Sequence, residues 1–132
     1  KCAAGTGRFL EVMARALEVD LDVFGELSLK SENPAKISSI CTVFAESEVI
    51  SLISKGEERV NIIAGIHESV ASRIYAMAQR LPLSPPFMMT GGVAKNRGLV
   101  KVLEKRFNTT IRINEHAQAN GAIGAAVLAM GI

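Results

Sequence analysis

The sequence lacks several features on which common functional classes depend. Its 132 residues include no Trp, one Tyr and two Cys, and the formal net charge is +2 at pH 7. The missing Trp and the lone Tyr argue against a surface that stacks nucleic-acid bases. A charge this small argues against nucleic acid or an acidic membrane surface as the main partner. Two cysteines are too few for a disulfide scaffold, so we expect a reducing compartment.

Targeting and membrane-spanning patterns are also missing from these residues. The first ten residues contain no basic region followed by an apolar run, so we expect no secretory signal. The most apolar stretch, 119–132, is shorter than the roughly 20 residues of a spanning helix and is interrupted by glycines. We therefore expect a soluble cytoplasmic domain. Because the sequence begins abruptly at Lys1 and Cys2, we also expect it to be a piece of a longer protein.

The residues that are present predict a folded α/β domain. A hydrophobic content of 48% with nearly balanced charge excludes disorder and supplies a core. Apolar spacing predicts helices at 6–19, 45–55, 57–81, about 95–107 and 118–130. Short apolar or β-branched runs predict strands at 87–90 and 110–113, with 37–44 extended around Cys41. Helices that alternate with short strands indicate a helix-rich α/β fold with a small mixed sheet.

The two cysteines precede predicted helices. Cys2 lies beside the sequence Gly5-Thr6-Gly7, which opens the first helix, and Cys41 lies just ahead of the helix at 45–55. The N–H groups at a helix N-terminus favour thiolate, the form of cysteine that binds metals or attacks substrates. Iron–sulfur sites of this kind use four thiolates, and a two-fold homodimer of this chain would supply four.

Simpler interpretations of these residues remain open. Both cysteines are also compatible with a role as small buried apolar side chains, which is the commonest role of a free cysteine. A Cys nucleophile with His67 as its base is possible, but nothing in the sequence orients such a pair. The Gly5-Thr6-Gly7 sequence is a weak dinucleotide signal, because Leu10 stands where a third glycine is needed. We expect His67 to lie in the core or at an interface, on the apolar face of the helix at 57–81.

A second candidate site lies where the strand at 87–90 runs into Gly91 and Gly92. Glycines let a ligand approach the backbone closely, and the helix that follows from about Lys95 offers N–H donors to an anion or a nucleotide. Taken alone, a pair of glycines is more commonly an ordinary turn.

Four segments of the sequence are distinctive: residues 1–10 (KCAAGTGRFL), 38–48 (SSICTVFAESE), 63–71 (IAGIHESVA) and 91–96 (GGVAKN). Together they resemble one known family, the ATP-dependent activators of 2-hydroxyacyl-CoA dehydratases, which includes the ATPase subunits of benzoyl-CoA reductase. The first two segments are similar to the two cysteine segments of that family. The resemblance extends over essentially the whole chain.

The resemblance implies a fold, cofactors and partners. The fold is that of the actin-like, sugar-kinase and heat-shock ATPase superfamily, with ATP and magnesium held between two ribonuclease-H-like domains. By resemblance, Cys2 and Cys41 are metal ligands of one 4Fe–4S cluster per homodimer, and Gly91, Gly92 and Asn96 bind the adenosine within segment 87–98. ATP binding and hydrolysis then drive the transfer of an electron at low potential to a dehydratase or reductase component. The resemblance implies ferredoxin or flavodoxin as the electron donor.

This sequence also departs from the family pattern, because both phosphate-binding segments expected upstream of Lys1 are missing from it. Residues 1–132 therefore correspond to the C-terminal half of the ATPase, and we do not expect them to hydrolyse ATP alone. Two other functions stay open: a non-redox sugar kinase or ATPase of the same superfamily with structural cysteines, and an isolated dimerisation module.

Overall fold

Helices dominate the structure, a computed structural model that describes residues 5–38 and 41–132. The helices and strands of this part of the chain are, in order, α1 (Thr6–Ala16), α2 (Leu21–Ser28), α3 (Thr42–Ser54), α4 (Arg59–Ala78), β1 (Phe87–Met88), a 3₁₀ helix (Gly92–Lys95), α5 (Arg97–Phe107), β2 (Ile111–Arg112) and α6 (Asn120–Ala129). The expectation of a helix-rich α/β fold with a small sheet is confirmed.

The sheet consists of a single pair of short strands in the described residues. Phe87 lies opposite Ile111 and Met88 opposite Arg112, and the two strands run parallel. The backbone N–H of Met89 extends the pairing by donating to the carbonyl of Arg112 (2.9 Å). Parallel strands need a crossover connection, and α5 supplies it. The turn that follows β1 therefore lies at the carboxyl end of the sheet, where α/β folds commonly bind ligands.

The core is built around α4, which packs against α2 and α5, while α1 packs against α3. α4 is the longest helix of the described chain, and its middle turns are buried on nearly all sides. Such a helix needs few polar residues on its central turns, in keeping with its apolar sequence. The largest fully buried side chains of the described residues are Phe24, Leu10, Met13, Leu17, Ile62, Ile63, Ile66, Leu99, His67 and Val49.

Two local predictions differ from the structure. Residues 42–44 were expected to be extended, but α3 already begins at Thr42, because the carbonyl of Cys41 accepts the N–H of Ala45 (2.8 Å) and the first turn closes there. Burial of Ala45 and Val49 in the core outweighs the β-branched composition of the preceding residues. Residues 21–28, assigned no element from the sequence, form α2, whose N-cap Asp20 accepts the N–H of Asp22 (3.2 Å).

One end of the chain differs from the rest in burial. α6 has no buried residue, and Ile123, Val127 and Leu128 are all exposed. In the part of the chain that the structure describes, no helix is both long enough and apolar enough to cross a membrane.

Candidate functional site

The turn after β1 combines a glycine conformation with two successive helix starts. Gly91 adopts φ = +90°, a left-handed region that residues with a side chain rarely occupy. Its N–H donates to the carbonyl of Ala117 (2.7 Å), and its carbonyl accepts the N–H of Ala94 (3.1 Å), which starts the 3₁₀ helix. Asn96 then ends the 3₁₀ helix and begins α5. The position of this turn is therefore set by backbone hydrogen bonds on both sides of Gly91.

Asn96 is held at both ends of its side-chain amide. Its Oδ1 accepts the backbone N–H of Leu99 (2.9 Å), which caps the first turn of α5. Its Nδ2 lies 3.1 Å from Nε2 of His67 on α4. Because Oδ1 faces a donor, the NH₂ group faces His67, and Nε2 must be the acceptor. The neutral imidazole consequently carries its hydrogen on Nδ1.

His67 is fully buried beneath this turn. Burial disfavours the charged imidazolium and lowers the pKa of His67 to about 4. The edge of the ring meets Phe24 of α2, with ring centroids 5.6 Å apart. Within the described residues, Nδ1 has no hydrogen-bond partner. The expectation that His67 belongs to the core is confirmed, and its ring also reaches the start of α5.

Two glycines let α2 and α5 meet beside Asn96. A Cβ added to Gly25 would lie 2.7 Å from Asn96 Oδ1, and one added to Gly98 would lie 2.5 Å from the carbonyl oxygen of Gly25. The Gly98 Cβ would also overlap Ser28 Oγ and approach His67 Cε1 to 3.0 Å. A side chain at either position would therefore push the two helices apart.

A cavity of about 360 Å³ opens over this contact. The turn contributes Gly92, Lys95, Asn96 and Arg97, and the opposite walls come from α1 and α2 together with Gln118. This volume falls within the range of small-molecule sites. At the rim, Arg97 pairs with Glu26 of α2 (3.1 Å), and both side chains are largely exposed. The cavity thus combines backbone, amide and charged groups of both signs.

The predicted site residues fall into two regions of the chain. Gly92 and Asn96 line the cavity, and Gly91 sets the turn that carries them. Cys41 is half-buried at the N-cap of α3 and does not line the cavity. Cys2 lies outside the described residues. Across residues 5–38 and 41–132, no group of three or more His, Cys, Asp or Glu side chains is arranged to hold a metal ion.

The sequence did not reveal the contribution of α2. Gly25, Asp22 and Glu26 line the wall opposite the turn, and no motif marked them in advance. The one available signal was Gly25, a glycine inside an amphipathic run. A glycine weakens a helix, and one inside a helix can mark a position where a neighbouring element approaches closely.

Comparison with known proteins places these features in a family. The sequence pattern described as the BadF/BadG/BcrA/BcrD ATPase family matches residues 1–129. The (R)-2-hydroxyglutaryl-CoA dehydratase activating ATPase of Acidaminococcus fermentans is 54% identical over 129 residues, which cover 98% of this chain and 50% of that protein. The chain spans about half the length of the curated relatives it matches.

Two solved structures share the fold. The crystal structure of the Acidaminococcus fermentans (R)-2-hydroxyglutaryl-CoA dehydratase component A superposes with a TM-score of 0.90 at 54% identity, covering 97% of this chain and 49% of that one. The activator of the 2-hydroxyisocaproyl-CoA dehydratase from Clostridium difficile, solved with bound ADPNP, also gives 0.90, at 48% identity, with coverage of 97% and 48%.

Proposed function

The chain belongs to the BadF/BadG/BcrA/BcrD ATPase family, and we propose that it is the C-terminal half of an ATP-dependent activator of a 2-hydroxyacyl-CoA dehydratase or a related reductase. In this proposal the complete protein comprises two actin-like domains, and residues 1–132 contribute the adenosine-binding segment 87–98 and the cluster segments 1–10 and 38–48. The chain alone would not hydrolyse ATP, because the phosphate-binding segments lie in the other half.

The observation that carries the nucleotide part of the proposal is the cavity at the carboxyl end of β1. Gly92 has no side chain to cover its backbone, Asn96 supplies an amide, and Lys95 and Arg97 line the cavity together with acidic side chains of α2. An adenosine needs an opening of this size with a few fixed polar groups. The Clostridium difficile relative, whose structure contains ADPNP, supports the same ligand class here.

The redox part of the proposal assigns Cys41 and Cys2 as ligands of a 4Fe–4S cluster shared by a homodimer. Cys41 suits this role because it is half-buried at the start of a 13-residue helix, where the helix dipole favours thiolate. A single described thiol cannot complete a four-thiolate site, so the donor set requires Cys2 and the same two residues of a second copy. When bound, the cluster would supply one-electron transfer at low potential.

Val43 and Phe44 give the start of α3 an apolar surface that suits a protein partner. Both side chains are more than 60% exposed and lie two and three positions after Cys41. In the proposed function this end of α3 faces the second copy or the dehydratase component, and ferredoxin or flavodoxin delivers the electron.

Anaerobic iron analysis of the complete protein tests the redox proposal. We expect about two iron atoms per chain after reconstitution, corresponding to one cluster per dimer. Cys41→Ser should remove the iron, whereas Ser51→Ala, at an exposed position of the same helix, should retain it. Iron-free wild-type protein would refute the cluster assignment. A colourless protein that transfers phosphate to a sugar would instead identify the non-redox kinase alternative.

A further inference from the structure

We propose that His67 is a positioning residue for the cavity, because its Nε2 accepts a hydrogen bond that holds the Asn96 amide in the orientation that the bound ligand meets. The inference deepens the nucleotide part of the proposed function and rests on it. His67 itself lines no part of the cavity. It acts only through Asn96, and the link crosses from α4 to the N-cap of α5.

The hydrogen bonds around Asn96 permit only one orientation of its amide. In the observed orientation, Oδ1 accepts from Leu99 N–H at 2.9 Å and Nδ2 donates to His67 Nε2 at 3.1 Å. Turning the amide by 180° would set NH₂ against the N–H of Leu99 and Oδ1 against the lone pair of Nε2. The first contact would be repulsive between two donors, and the second would require the hydrogen of His67 to move from Nδ1 to Nε2. One amide hydrogen and one Oδ1 lone pair remain for a ligand, and their directions are held by the Leu99 N–H together with His67 Nε2.

His67 is well suited to hold that orientation. Its ring is fully buried, it meets Phe24 edge-on, and Gly98 leaves just enough room for Cε1. Neither Phe24 nor Asn96 carries a charge that would favour the imidazolium, and the Asn96 NH₂ group that faces Nε2 favours the neutral tautomer with its hydrogen on Nδ1. A leucine would fill a similar volume without an acceptor, whereas a glutamine places an amide oxygen near the position of Nε2.

The test compares His67→Leu and His67→Gln in the complete protein, with ADPNP titrated as the probe. We expect His67→Leu to raise the Kd for ADPNP roughly three- to tenfold, the value of one ordinary hydrogen bond. His67→Gln should restore the Kd to within about twofold of wild type. A merely structural role would lower the resistance of both variants to urea while leaving their Kd values alike.

The outcomes separate this inference from the function on which it rests. Wild-type protein that does not bind ADPNP would refute the nucleotide proposal and this inference with it. Normal binding by His67→Leu, in a protein where Asn96→Ala weakens binding, would refute the role of His67 alone. Equal weakening by the Leu and Gln variants would refute the acceptor role.

A measurement on the wild-type protein covers the case in which His67→Leu does not fold. Nitrogen NMR of labelled histidine distinguishes the two neutral tautomers, and the geometry requires the hydrogen on Nδ1. A hydrogen found on Nε2 would overturn the proposal, since that nitrogen could not then accept from Asn96. The expected spectrum shows an unprotonated Nε2 with and without ADPNP.

Discussion

Acidification should destabilise this fold through His67. The pKa of the buried imidazole is lowered from 6.5 to about 4 because burial penalises its charged form. Between about pH 6.5 and pH 4, the unfolded chain therefore binds a proton on His67, whereas the folded chain does not. The free energy of unfolding should consequently fall as the pH falls through this window. Above it the contribution of His67 is constant.

The magnitude follows from the two pKa values. Their difference, at about 1.4 kcal/mol per pH unit, corresponds to a loss of about 3 kcal/mol between neutral pH and pH 4. Such a loss is a large fraction of the typical stability of a domain, roughly 5–15 kcal/mol, and more than half of it at the lower end. Protonation would also place a hydrogen on Nε2, which could then no longer accept from Asn96. The first turn of α5, which Asn96 caps, should therefore become less stable in the same pH range.

Urea unfolding of the complete protein at a series of pH values measures this effect. His67→Gln should flatten the slope between about pH 6.5 and pH 4, because the amide does not titrate. His116→Gln is the matched control for the substitution itself, since it makes the same change at a histidine that is exposed in the folded chain. If His67→Gln kept the full slope, carboxylates elsewhere would be responsible and the burial argument for His67 would be wrong.

Two further substitutions, each with a matched control, test the packing beside the cavity and the N-cap of α2. Gly25→Ala should cost about 1–3 kcal/mol of stability by overpacking against Asn96 Oδ1, and should weaken ADPNP binding, both measured by calorimetry. Gly124→Ala, where an added Cβ meets nothing within 4 Å, should be neutral or stabilising. Asp20→Ala should cost about 1 kcal/mol in urea unfolding by removing the N-cap of α2. Glu58→Ala, at an N-cap without a side-chain hydrogen bond, should change stability by less than about 0.5 kcal/mol.

The longer helices could be predicted from the sequence because their signal is local. α4 occupies Arg59–Ala78 inside the predicted 57–81, and Gly56, with φ = +80°, separates it from α3 as expected. The strands are shorter than their apolar runs, because only two residue pairs of β1 and β2 meet in register. Strand length depends on the partner, which a single stretch of sequence does not contain.

The candidate site was predictable only in its contiguous part. Gly91, Gly92 and Asn96 lie within six positions, so a local pattern can mark them. The contact of Asn96 with His67 spans 29 positions and that of Arg97 with Glu26 spans 71. Such pairs arise only when α2, α4 and α5 pack together. Because the α2 wall of the cavity also depends on this packing, no sequence motif marked it.

The uneven burial of the helices has a consequence for the motions of the chain. Amide hydrogens in the middle of α4, which is surrounded by core, should exchange with solvent only when the whole fold opens. α6 buries none of its residues in the described structure, so little apolar contact opposes its local unfolding. Its amides should exchange orders of magnitude faster than those of α4. A protein surface that covers Ile123, Val127 and Leu128 would slow this exchange. The exchange rate of the α6 amides would therefore report contact with another protein.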